Sequence, residues 1–397
     1  MSPSHPEPER RGPLADVRIL DLSRLIPGPF ATLILRDLGA AVDKIEDAGA
    51  GDYLRHFGPQ RAGSAAGFHA LNRGKRSAVV DLKRPEGVAL LKRLMPRYDV
   101  LVEQFRPGVL DRLGLGHAAL AREHPRLVVC ALTGYGQHGP LAHRAGHDLN
   151  YLARAGLLVG QGPADRTPQV PGFQVADASG GMWCAIAILA ALRERDHTGR
   201  GQIIDVAMAD GVHGFAALSV AGGLAGPSAP RGEDVLTGGV APYNTYASSD
   251  GAVVALAALE PKFWLAFCQA VGLEADLGAL LPGPHQAELK ARVAALFAAR
   301  TAAEWTAFGA AHDCCVTVAL RPDELPTDAH TRARGLLATV GEGSDACTVF
   351  RTPVTPRDAS FPLAPRPGEH SREVLADGGL DAAEIDALVA SGVVKVG

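Results

Sequence analysis

Cysteine is present in the sequence, but the spacing that would mark a disulfide framework or a zinc site is missing. None of the six cysteines forms a Cys-x-x-Cys pair, and most lie in apolar contexts such as "VVCAL" and "MWCAI". They are expected to be reduced core thiols. The adjacent pair in "HDCC" would point to opposite faces of a strand, so core packing is favoured and we predict no metal site.

A surplus of charge of one sign is also absent. The chain has 39 Lys and Arg against 43 Asp and Glu, a formal net charge of -4 at pH 7, and its basic residues are scattered. This excludes an overall attraction to polyanions and argues against a nucleic-acid partner. Any anionic ligand must therefore be bound by a local basic site.

Long hydrophobic runs are missing as well. The longest, "GGMWCAIAILAAL", is shorter than the ~20 residues that span a bilayer. The opening "MSPSHPEPERRGP" is polar and proline-rich and lacks the apolar core of a secretory signal. We therefore expect a disordered segment over residues 1–12, no membrane partner and a cytoplasmic location.

From Val17 onward the sequence alternates strand-like and helix-like segments. "VRILDLS", "AAVDKIED", "SAVVDL", "VLVEQF" and "LVVCALTGYG" are strand-like, and helical patterns such as "FATLILRDLG" and "EGVALLKRLMPRY" separate them. This rhythm is typical of βαβ units and predicts an α/β fold with an open parallel sheet. The loop after the first strand is "SRLIPGPF" instead of Gly-x-Gly-x-x-Gly, so a role in binding NAD loses its main support.

The length of 397 residues predicts two domains. A turn-rich stretch, "GPSAPRGEDVLTGG", is interpreted as a linker, and beyond it "YNTYAS" and "AVVALAAL" predict a β-hairpin followed by the helical "KFWLAFCQAVGL". We predict a large domain over residues 13–207, a linker over 208–239 and a smaller α+β domain over 240–333. Residues 334–397 are expected to return to the large domain and form the C-terminal tail.

Six motifs resemble, in order, those of the class III CoA-transferase superfamily, the CaiB/BaiF type. They are "LDLSRLIPGPFATLILRDLGAAVDKIED", "LNRGKRSAVVDLK", "VEQFRPGVLDRLGLG", "GHDLNYLA", "GRGQIIDVAM" and "APYNTYASSDG". The resemblance extends from about Leu14 to the C-terminus. The histidine in "GHDLNY" is similar to the α-methylacyl-CoA racemase branch, since the transferases usually carry an aromatic or other residue there.

The resemblance implies a large Rossmann-like domain that binds a coenzyme A thioester, a small domain that closes over the acyl end, and an interlocked homodimer. No cofactor is implied beyond the coenzyme A moiety of the acyl-CoA substrate. A basic residue sometimes found near the end of the second strand is Asp47 here, so Lys75 or Arg76 is expected to supply part of the adenosine-phosphate grip. The other implied contacts with coenzyme A are Val80, Asp81, Leu82, Lys83, Gln104, Phe105, Arg106, Arg112, Gly146, His147, Asp148 and Tyr151.

The racemase branch implies a reaction at the α-carbon of the thioester. Its proton must leave one face and return to the other, so two acid/base groups are needed on opposite sides. By resemblance these are His147 and Asp177. Imidazole as a class titrates near neutral pH and serves as base and as conjugate acid. A lone histidine is more often structural, but the "GHD" motif favours a catalytic role.

Asp177 lies in "QVADASGG", just before a strongly helical run. An N-cap and a catalytic carboxylate are both consistent with this position, and one residue can fill both roles. The start of the helix would also offer free backbone N–H groups to a thioester enolate. The racemase branch commonly has Gly-Asp-Phe-Gly-Gly here, so Ala178 and Ser179 predict a different shape of the acyl pocket.

Three further expectations concern the surroundings of the site. By resemblance, Glu260 in "ALEPKFW" contacts His147 and fixes the orientation of its ring. Asp148 is expected to orient the histidine or to bind the ligand by a hydrogen bond. Phe263 and Trp264 are candidate walls of the acyl pocket, although core packing is the favoured interpretation of both.

Other functions stay open at this point. A CoA-transferase would use Asp177 as a nucleophile, which attacks the acyl-CoA to give a mixed anhydride and then an enzyme thioester. His147 favours racemisation, as does the segment "TGGVAPYNTY" where many transferases carry a glycine run. A catalytically idle acyl-CoA-binding protein and an NAD-dependent oxidoreductase are the remaining alternatives.

Overall fold

The computed structural model describes residues 12–227 and 229–397. The segment predicted to be disordered, residues 1–12, therefore lies outside the described residues except at Gly12. The chain folds into two compact units. Unit 1 comprises Met1–Leu152, Gln174–Gly214 and Ala329–Gly397, and unit 2 comprises Ala153–Phe173 and Phe215–Asp328.

The secondary-structure elements of the described residues are numbered in chain order. The strands are β1 (Arg18–Leu22), β2 (Ala41–Glu46), β3 (Gln60–Arg61), β4 (Ser64–Ala65), β5 (Arg76–Val80), β6 (Val100–Glu103), β7 (Val128–Thr133), β8 (Ile203–Ala207), β9 (Tyr243–Ala247), β10 (Val253–Ala257), β11 (Val316–Val318), β12 (Leu337–Val340), β13 (Cys347–Phe350) and β14 (Val394–Lys395). The α-helices are α1 (Pro27–Asp37), α2 (Ala66–Asn72), α3 (Pro85–Leu94), α4 (Val109–Arg112), α5 (His117–Glu123), α6 (Asp148–Arg154), α7 (Val175–Thr198), α8 (Met208–Gly211), α9 (Ala217–Ala225), α10 (Pro261–Val271), α11 (Gln286–Ala298), α12 (Ala302–Ala311), α13 (Ala329–Arg334), α14 (Ser371–Asp377) and α15 (Ala382–Ala390).

Unit 1 is built on a seven-stranded sheet in the order β14-β5-β2-β1-β6-β7-β8. Every pairing in it is parallel except that of β14 with β5. Strands β6 and β7 are buried along their whole length, as expected for apolar runs inside a parallel sheet. The predicted α/β fold with a large parallel sheet is confirmed, and the antiparallel edge strand β14 is an addition that the sequence did not reveal.

The strand order places a topological switch point between β1 and β6. From these two central strands the chain winds outward, to β2 and β5 on one side and to β7 and β8 on the other. Loops after β1 and β6 therefore diverge at the carboxyl edge and leave a crevice between them, which is where open α/β sheets bind ligands. This arrangement explains why the loop sequences "SRLIPGPF" and "QFRPG" lie at one edge of the sheet.

Helices cover both faces of this sheet. Leucines of α3 and residues of α5, α14 and α15 pack with the strands in one core cluster, and α1 packs against α7. A Cβ atom on Gly181 of α7 would lie 2.6 Å from the backbone oxygen of Pro27, which begins α1. The absence of a side chain at Gly181 therefore lets the two helices approach closely.

Unit 2 contains the antiparallel sheet β11-β10-β9 and the helices α10, α11 and α12. Its core is aromatic: the ring centroids of Tyr246 and Phe297 are 4.8 Å apart, and those of Phe297 and Trp305 are 4.3 Å apart. Trp264 is fully buried and its indole N–H donates to the Asp276 oxygen at 2.9 Å. Trp264 is therefore a core residue, the interpretation that the sequence favoured, and the half-buried Phe263 packs against the same cluster.

The boundaries of the units differ from the predicted domain boundaries. Unit 1 continues to Gly214 and resumes at Ala329, and the predicted linker 208–239 contains helices α8 and α9. Residues 153–173, which the sequence placed in the large domain, belong to unit 2. The physical reason is local: the Arg231 Nε atom donates to the Pro163 oxygen at 2.9 Å and ties this segment to unit 2.

Helix α7 is long and apolar enough, by length and composition, to cross a membrane. It extends beyond the apolar run that the sequence analysis judged too short. Half of its most apolar window, of mean hydropathy 1.7, is buried inside the protein, as in the core helix of a compact domain. This helix is therefore weak evidence for a membrane-spanning segment. All six cysteines are free, and no group of His, Cys, Asp and Glu within residues 12–227 and 229–397 could hold a metal ion.

Candidate active site

A cavity of about 450 Å3 opens at the carboxyl ends of β1, β2, β5 and β6. We call it the switch-point cavity. Its lining contains six of the residues implied as contacts with coenzyme A, namely Val80, Leu82, Lys83, Gln104, Phe105 and Arg106. The first part of the implied ligand site therefore lies at the position that the sheet topology favours for a ligand.

A second cavity, of about 380 Å3, lies beside the first, and we call it the histidine cavity. Its lining includes His147, Asp177, Gly146 and Tyr151 together with the segment that follows β6 and the end of β7. Both cavities share four residues, Arg24, Gln104, Phe105 and Arg106, and all lining residues belong to unit 1. A long ligand could thus extend from the switch-point cavity into the histidine cavity.

His147 is fixed through its backbone at the start of α6. Its N–H donates to the Asn150 Oδ1 atom at 3.1 Å, and its carbonyl oxygen accepts the N–H groups of Asn150 and Tyr151. The imidazole is exposed and lines the cavity. The ring is therefore carried on a short ordered turn and remains accessible to a ligand.

Tyr151 forms the wall behind His147. Its hydroxyl donates to the Gly146 oxygen at 2.5 Å. Its ring packs edge to face against the Tyr135 ring, and the two ring centroids are 5.1 Å apart. A Cβ atom on Gly134 would lie 2.5 Å from the Tyr151 ring, so only glycine leaves room for this tyrosine. Burial and the nearby Asp177 carboxylate raise the pKa of Tyr151 to about 12, so it remains a neutral donor near pH 7.

Asp148 caps helix α7, a contact that the sequence analysis did not anticipate. One oxygen of its side chain, Oδ1, accepts the N–H groups of Ala176 at 2.6 Å and Asp177 at 3.0 Å. The proposed orienting of the histidine by Asp148 has no contact in the structure to support it. The N–H groups of Ala176 and Asp177 are occupied by Asp148, so the expectation that they are free for an enolate oxygen is wrong.

Asp177 is the third residue of α7, and the residue before the helix is Gln174. It is therefore not the N-cap, and its carboxylate is left to line the histidine cavity. Burial, and next the Asp148 carboxylate, raise the pKa of Asp177 to about 6 from its ordinary 3.8. A carboxyl group with this pKa exchanges its proton near neutral pH, which suits a general acid/base.

The raised pKa of Asp177 leads to a prediction about stability. A carboxyl group that is harder to ionise in the folded protein favours folding while protonated and opposes it once charged. We expect Asp177→Asn to unfold at the same denaturant concentration as the unmodified protein at pH 4. As the pH rises from about 4 to 6, the variant should gain about 1–2 kcal/mol in stability relative to the unmodified protein, since the carboxylate is only partly buried, and above pH 6 the difference should stay constant. Urea titrations at pH 4, 5, 6 and 7.5 measure this, and a difference independent of pH would contradict it.

A second prediction separates the two roles of Asp148. Asp148→Ala removes the acceptor for the first turn of α7 and should cost about 1 kcal/mol in the free energy of unfolding. Asp148→Asn retains a side-chain oxygen and should cost less, while both variants remove the charge that raises the pKa of Asp177. The Asp177 pKa, followed by carbon-13 NMR of the carboxyl group, should fall in both. An unchanged pKa in Asp148→Asn would contradict this assignment.

Lys75 is placed differently from the prediction. Its ammonium group is fully buried and lies in neither cavity, and it donates to Asn72 Oδ1 at 2.9 Å, Thr32 Oγ1 at 2.8 Å and the Pro29 oxygen at 3.0 Å. Burial lowers the pKa of Lys75 to about 8, against the opposing effect of Asp21. The prediction that Lys75 binds a phosphate is therefore wrong, because hydrogen bonds in the core already use all three protons of its ammonium group. Arg76, its alternative, pairs with Asp43 and Asp377.

Asp148 lines neither cavity, and three other residues implied by the family motifs also lie outside both cavity linings. Asp81 accepts the Lys83 N–H at 3.0 Å and shapes the turn after β5. Arg112 is exposed on α4. Glu260 belongs to unit 2, where it precedes α10 and makes no capping hydrogen bond through its side chain. The contact of Glu260 with His147 stays a prediction.

Arg24 is the main lining residue that the sequence analysis missed. It follows β1, lines both cavities and lies over the Tyr53 ring at 4.8 Å. Its neighbour Leu25 has a φ of 64°, which is strained for a residue with a branched side chain. Such backbone strain at a candidate ligand site requires support from the surrounding structure. No sequence motif predicts the strained conformation of Leu25.

The support for Leu25 is a buried ion pair. Lys44 and Asp52 lie 2.9 Å apart, and both side chains are almost completely buried. Asp52 Oδ1 accepts the Leu25 N–H at 2.9 Å, and the Lys44 ammonium donates to the Ser23 oxygen at 2.6 Å. We call Lys44, Asp52 and the backbone of 23–25 the buried clamp. It holds the loop that carries Arg24.

The charges in the histidine cavity suit an anionic ligand. Arg24, Arg106 and Arg144 line it, and Asp177 is the one carboxylate in its lining. Guanidinium groups favour phosphates because they donate in a planar fork. The chain thus provides the local basic site that its overall composition does not.

The chain is similar in sequence and in fold to several known proteins. The family model for CoA-transferase family III matches residues 14–371. Human alpha-methylacyl-CoA racemase is 38% identical over 394 residues, which cover 96% of this chain and 99% of that protein. Succinate–glutarate CoA-transferase of Agrobacterium fabrum is 33% identical, covering 93% and 96%. A crystal structure of a CaiB/BaiF family protein from Brucella suis superposes with a TM-score of 0.78 at 32% identity, covering 92% and 99%.

Proposed function

The chain belongs to CoA-transferase family III, and on that premise we propose that it is an isomerase that epimerises the α-carbon of 2-methyl-branched acyl-CoA thioesters. The observation that carries the proposal is that His147 and Asp177 line one cavity beside the switch-point cavity. Both racemases and CoA-transferases occur among the relatives, so the family alone does not choose between the two reactions.

The proposed reaction is a 1,1-proton transfer. One of the two groups, in its basic form, removes the α-proton, and the electron pair of the C–H bond forms an enolate with the thioester carbonyl. The other group, in its acid form, delivers a proton to the opposite face of the same carbon. The two groups exchange roles when the other epimer reacts, so one must be protonated while the other is not.

The pKa of Asp177, raised to about 6, supports its role in this scheme. A carboxyl group of ordinary acidity would seldom hold a proton near neutral pH. The half-buried position at the first turn of α7 and the charge of Asp148 together make the protonated form accessible. Glu260 is proposed to orient the imidazole of His147, as implied by the family motifs.

Coenzyme A enters the proposal only as part of the substrate. The switch-point cavity would hold its nucleotide end, and Arg24 and Arg106, which line both cavities, would meet the phosphates. We propose no further cofactor. An interlocked homodimer and a cytoplasmic location remain part of the proposal. The apolar side chains of Phe215, Leu218 and Leu224 in unit 2 are exposed, which supports a partner chain that covers this segment.

The second candidate is a CoA-transferase, favoured by the same accessible Asp177 and by the transferase relatives. In that reaction the carboxylate attacks the thioester carbonyl, the C–S bond breaks and coenzyme A leaves as the thiolate. The resulting anhydride would be trapped by hydroxylamine. An isomerase forms no acyl-enzyme, so trapping should fail.

Incubation of each 2-methylacyl-CoA epimer alone, without an acceptor acid, tests the proposal. Chiral chromatography of the hydrolysed acid should show both epimers approaching one mixture from either side. Retention of the starting configuration, with transfer of coenzyme A once succinate or another acid is added, would support the transferase instead.

A further inference from the structure

A buried hydrogen-bonded chain lies behind the loop that the two cavities share. Glu103, the last residue of β6, is 2% exposed. One carboxylate oxygen, Oε2, accepts the Phe105 N–H at 2.8 Å, and the other, Oε1, lies 3.0 Å from the Nε2 atom of His117. His117 is the first residue of α5.

The backbone that Glu103 holds is part of the candidate ligand site. Gln104, Phe105 and Arg106 line both cavities. The Gln104 Oε1 atom also accepts the Arg24 N–H at 3.4 Å, which links this turn to the loop after β1. The direction in which the chain leaves β6 therefore determines the position of the residues that line both cavities.

We propose that His117 is a positioning residue for coenzyme A binding, which acts through Glu103 and the Phe105 amide. The inference rests on the proposed function insofar as the ligand is a coenzyme A thioester. His117 lines neither cavity, so it would act only by holding the Glu103 carboxylate in place. Without it, one oxygen of a buried carboxylate would lose its partner and the turn would lose its support.

The groups that face His117 make this support dependent on pH. The Glu103 hydrogen bond is the main cause of a raised His117 pKa, with further contributions from Asp111 on α4 and Asp205 on β8, while burial opposes it. All three facing groups are acidic. A raised histidine pKa means that the charged pair is complete at low pH and is lost as the pH rises through the folded-state pKa. A neutral histidine still donates, but more weakly.

The experiment measures the dissociation constant of coenzyme A itself by calorimetry from pH 5.5 to 9. We expect His117→Ala to bind about five- to tenfold more weakly than the unmodified protein at pH 6. This ratio should shrink as the pH rises. His117→Gln keeps a neutral hydrogen-bond donor. It should bind coenzyme A as tightly as the unmodified protein at high pH. At low pH it should bind more weakly, because glutamine cannot gain the positive charge that strengthens the hydrogen bond to Glu103. The titration of the 3′-phosphate is common to all variants and cancels in the ratio.

His124→Ala is the matched control, because His124 follows the same helix and its side chain makes no contact with Glu103. It should match the unmodified protein at every pH. Equal affinity of His117→Ala and the unmodified protein, or a ratio that does not change with pH, would overturn this inference and leave the proposed function intact. An unmodified protein that fails to bind coenzyme A would overturn both.

Discussion

Replacing His147 by Ala or Asp177 by Asn is expected to slow epimerisation of a 2-methylacyl-CoA by about 10²–10⁴-fold, the usual loss for a general acid/base. The reason is that each epimer presents its α-proton to one of the two groups, and neither group can serve both faces. Initial rates for each epimer separately, with coenzyme A affinity measured alongside, give the result. Affinity should change little, since the two residues act on the reacting carbon.

The controls use neighbours of the same chemical type. His143→Ala changes another exposed histidine four residues earlier, and Asp196→Asn changes an exposed aspartate on the same helix as Asp177. Neither lines the histidine cavity, so both should retain the activity of the unmodified protein. A single variant, His147→Ala or Asp177→Asn, that still interconverts both epimers at the unmodified rate would rule out the two-group scheme.

Asp52→Ala is expected to destabilise the protein by about 3–5 kcal/mol, because it leaves the ammonium group of Lys44 buried without its partner. Burial opposes the charge of Lys44, yet Asp21, Asp52 and Glu46 outweigh this effect and raise its pKa. The Leu25 N–H would lose its acceptor in the same variant. Chemical denaturation at pH 7 measures the loss.

Glu123→Ala offers the comparison, since Glu123 forms an exposed ion pair with Arg122 at 3.3 Å. Exposed pairs are screened by water and contribute little, so this variant should unfold like the unmodified protein. Asp52→Asn keeps an oxygen for Leu25 and removes the charge, which isolates the contribution of the ion pair. If Asp52→Ala were as stable as Glu123→Ala, the buried clamp would have no role in stability.

Much of the fold could be predicted because it is encoded in local patterns. The apolar runs of β6 and β7 and the proline at the start of α3 identify these elements from a few neighbouring residues. Strand β14 is two residues long, Val394 and Lys395, and pairs with β5 across more than three hundred residues. Nothing in so short a segment distinguishes it from a loop.

Residues of the candidate site could be predicted where they belong to a recognisable motif. Residues whose position depends only on the tertiary structure were missed. His147 and Asp177 are marked by their motifs, and they do line one cavity. The prediction for Lys75 was wrong because the sequence around a lysine next to a strand does not show whether its long side chain points into the core or into a cavity. The cap from Asp148 to α7 spans 28 residues, so local sequence offered Asp177 as a possible N-cap and gave no indication of Asp148.

The most direct test of the two-group reaction is proton NMR of the α-position in deuterated buffer without an acceptor acid. The unmodified protein should place deuterium at the α-carbon of both epimers. His147→Ala and Asp177→Asn should each exchange the proton of one epimer only, and of opposite epimers, because each retains one base on one face. No deuterium in either epimer with the unmodified protein, or exchange of the same single epimer by both variants, would contradict the account.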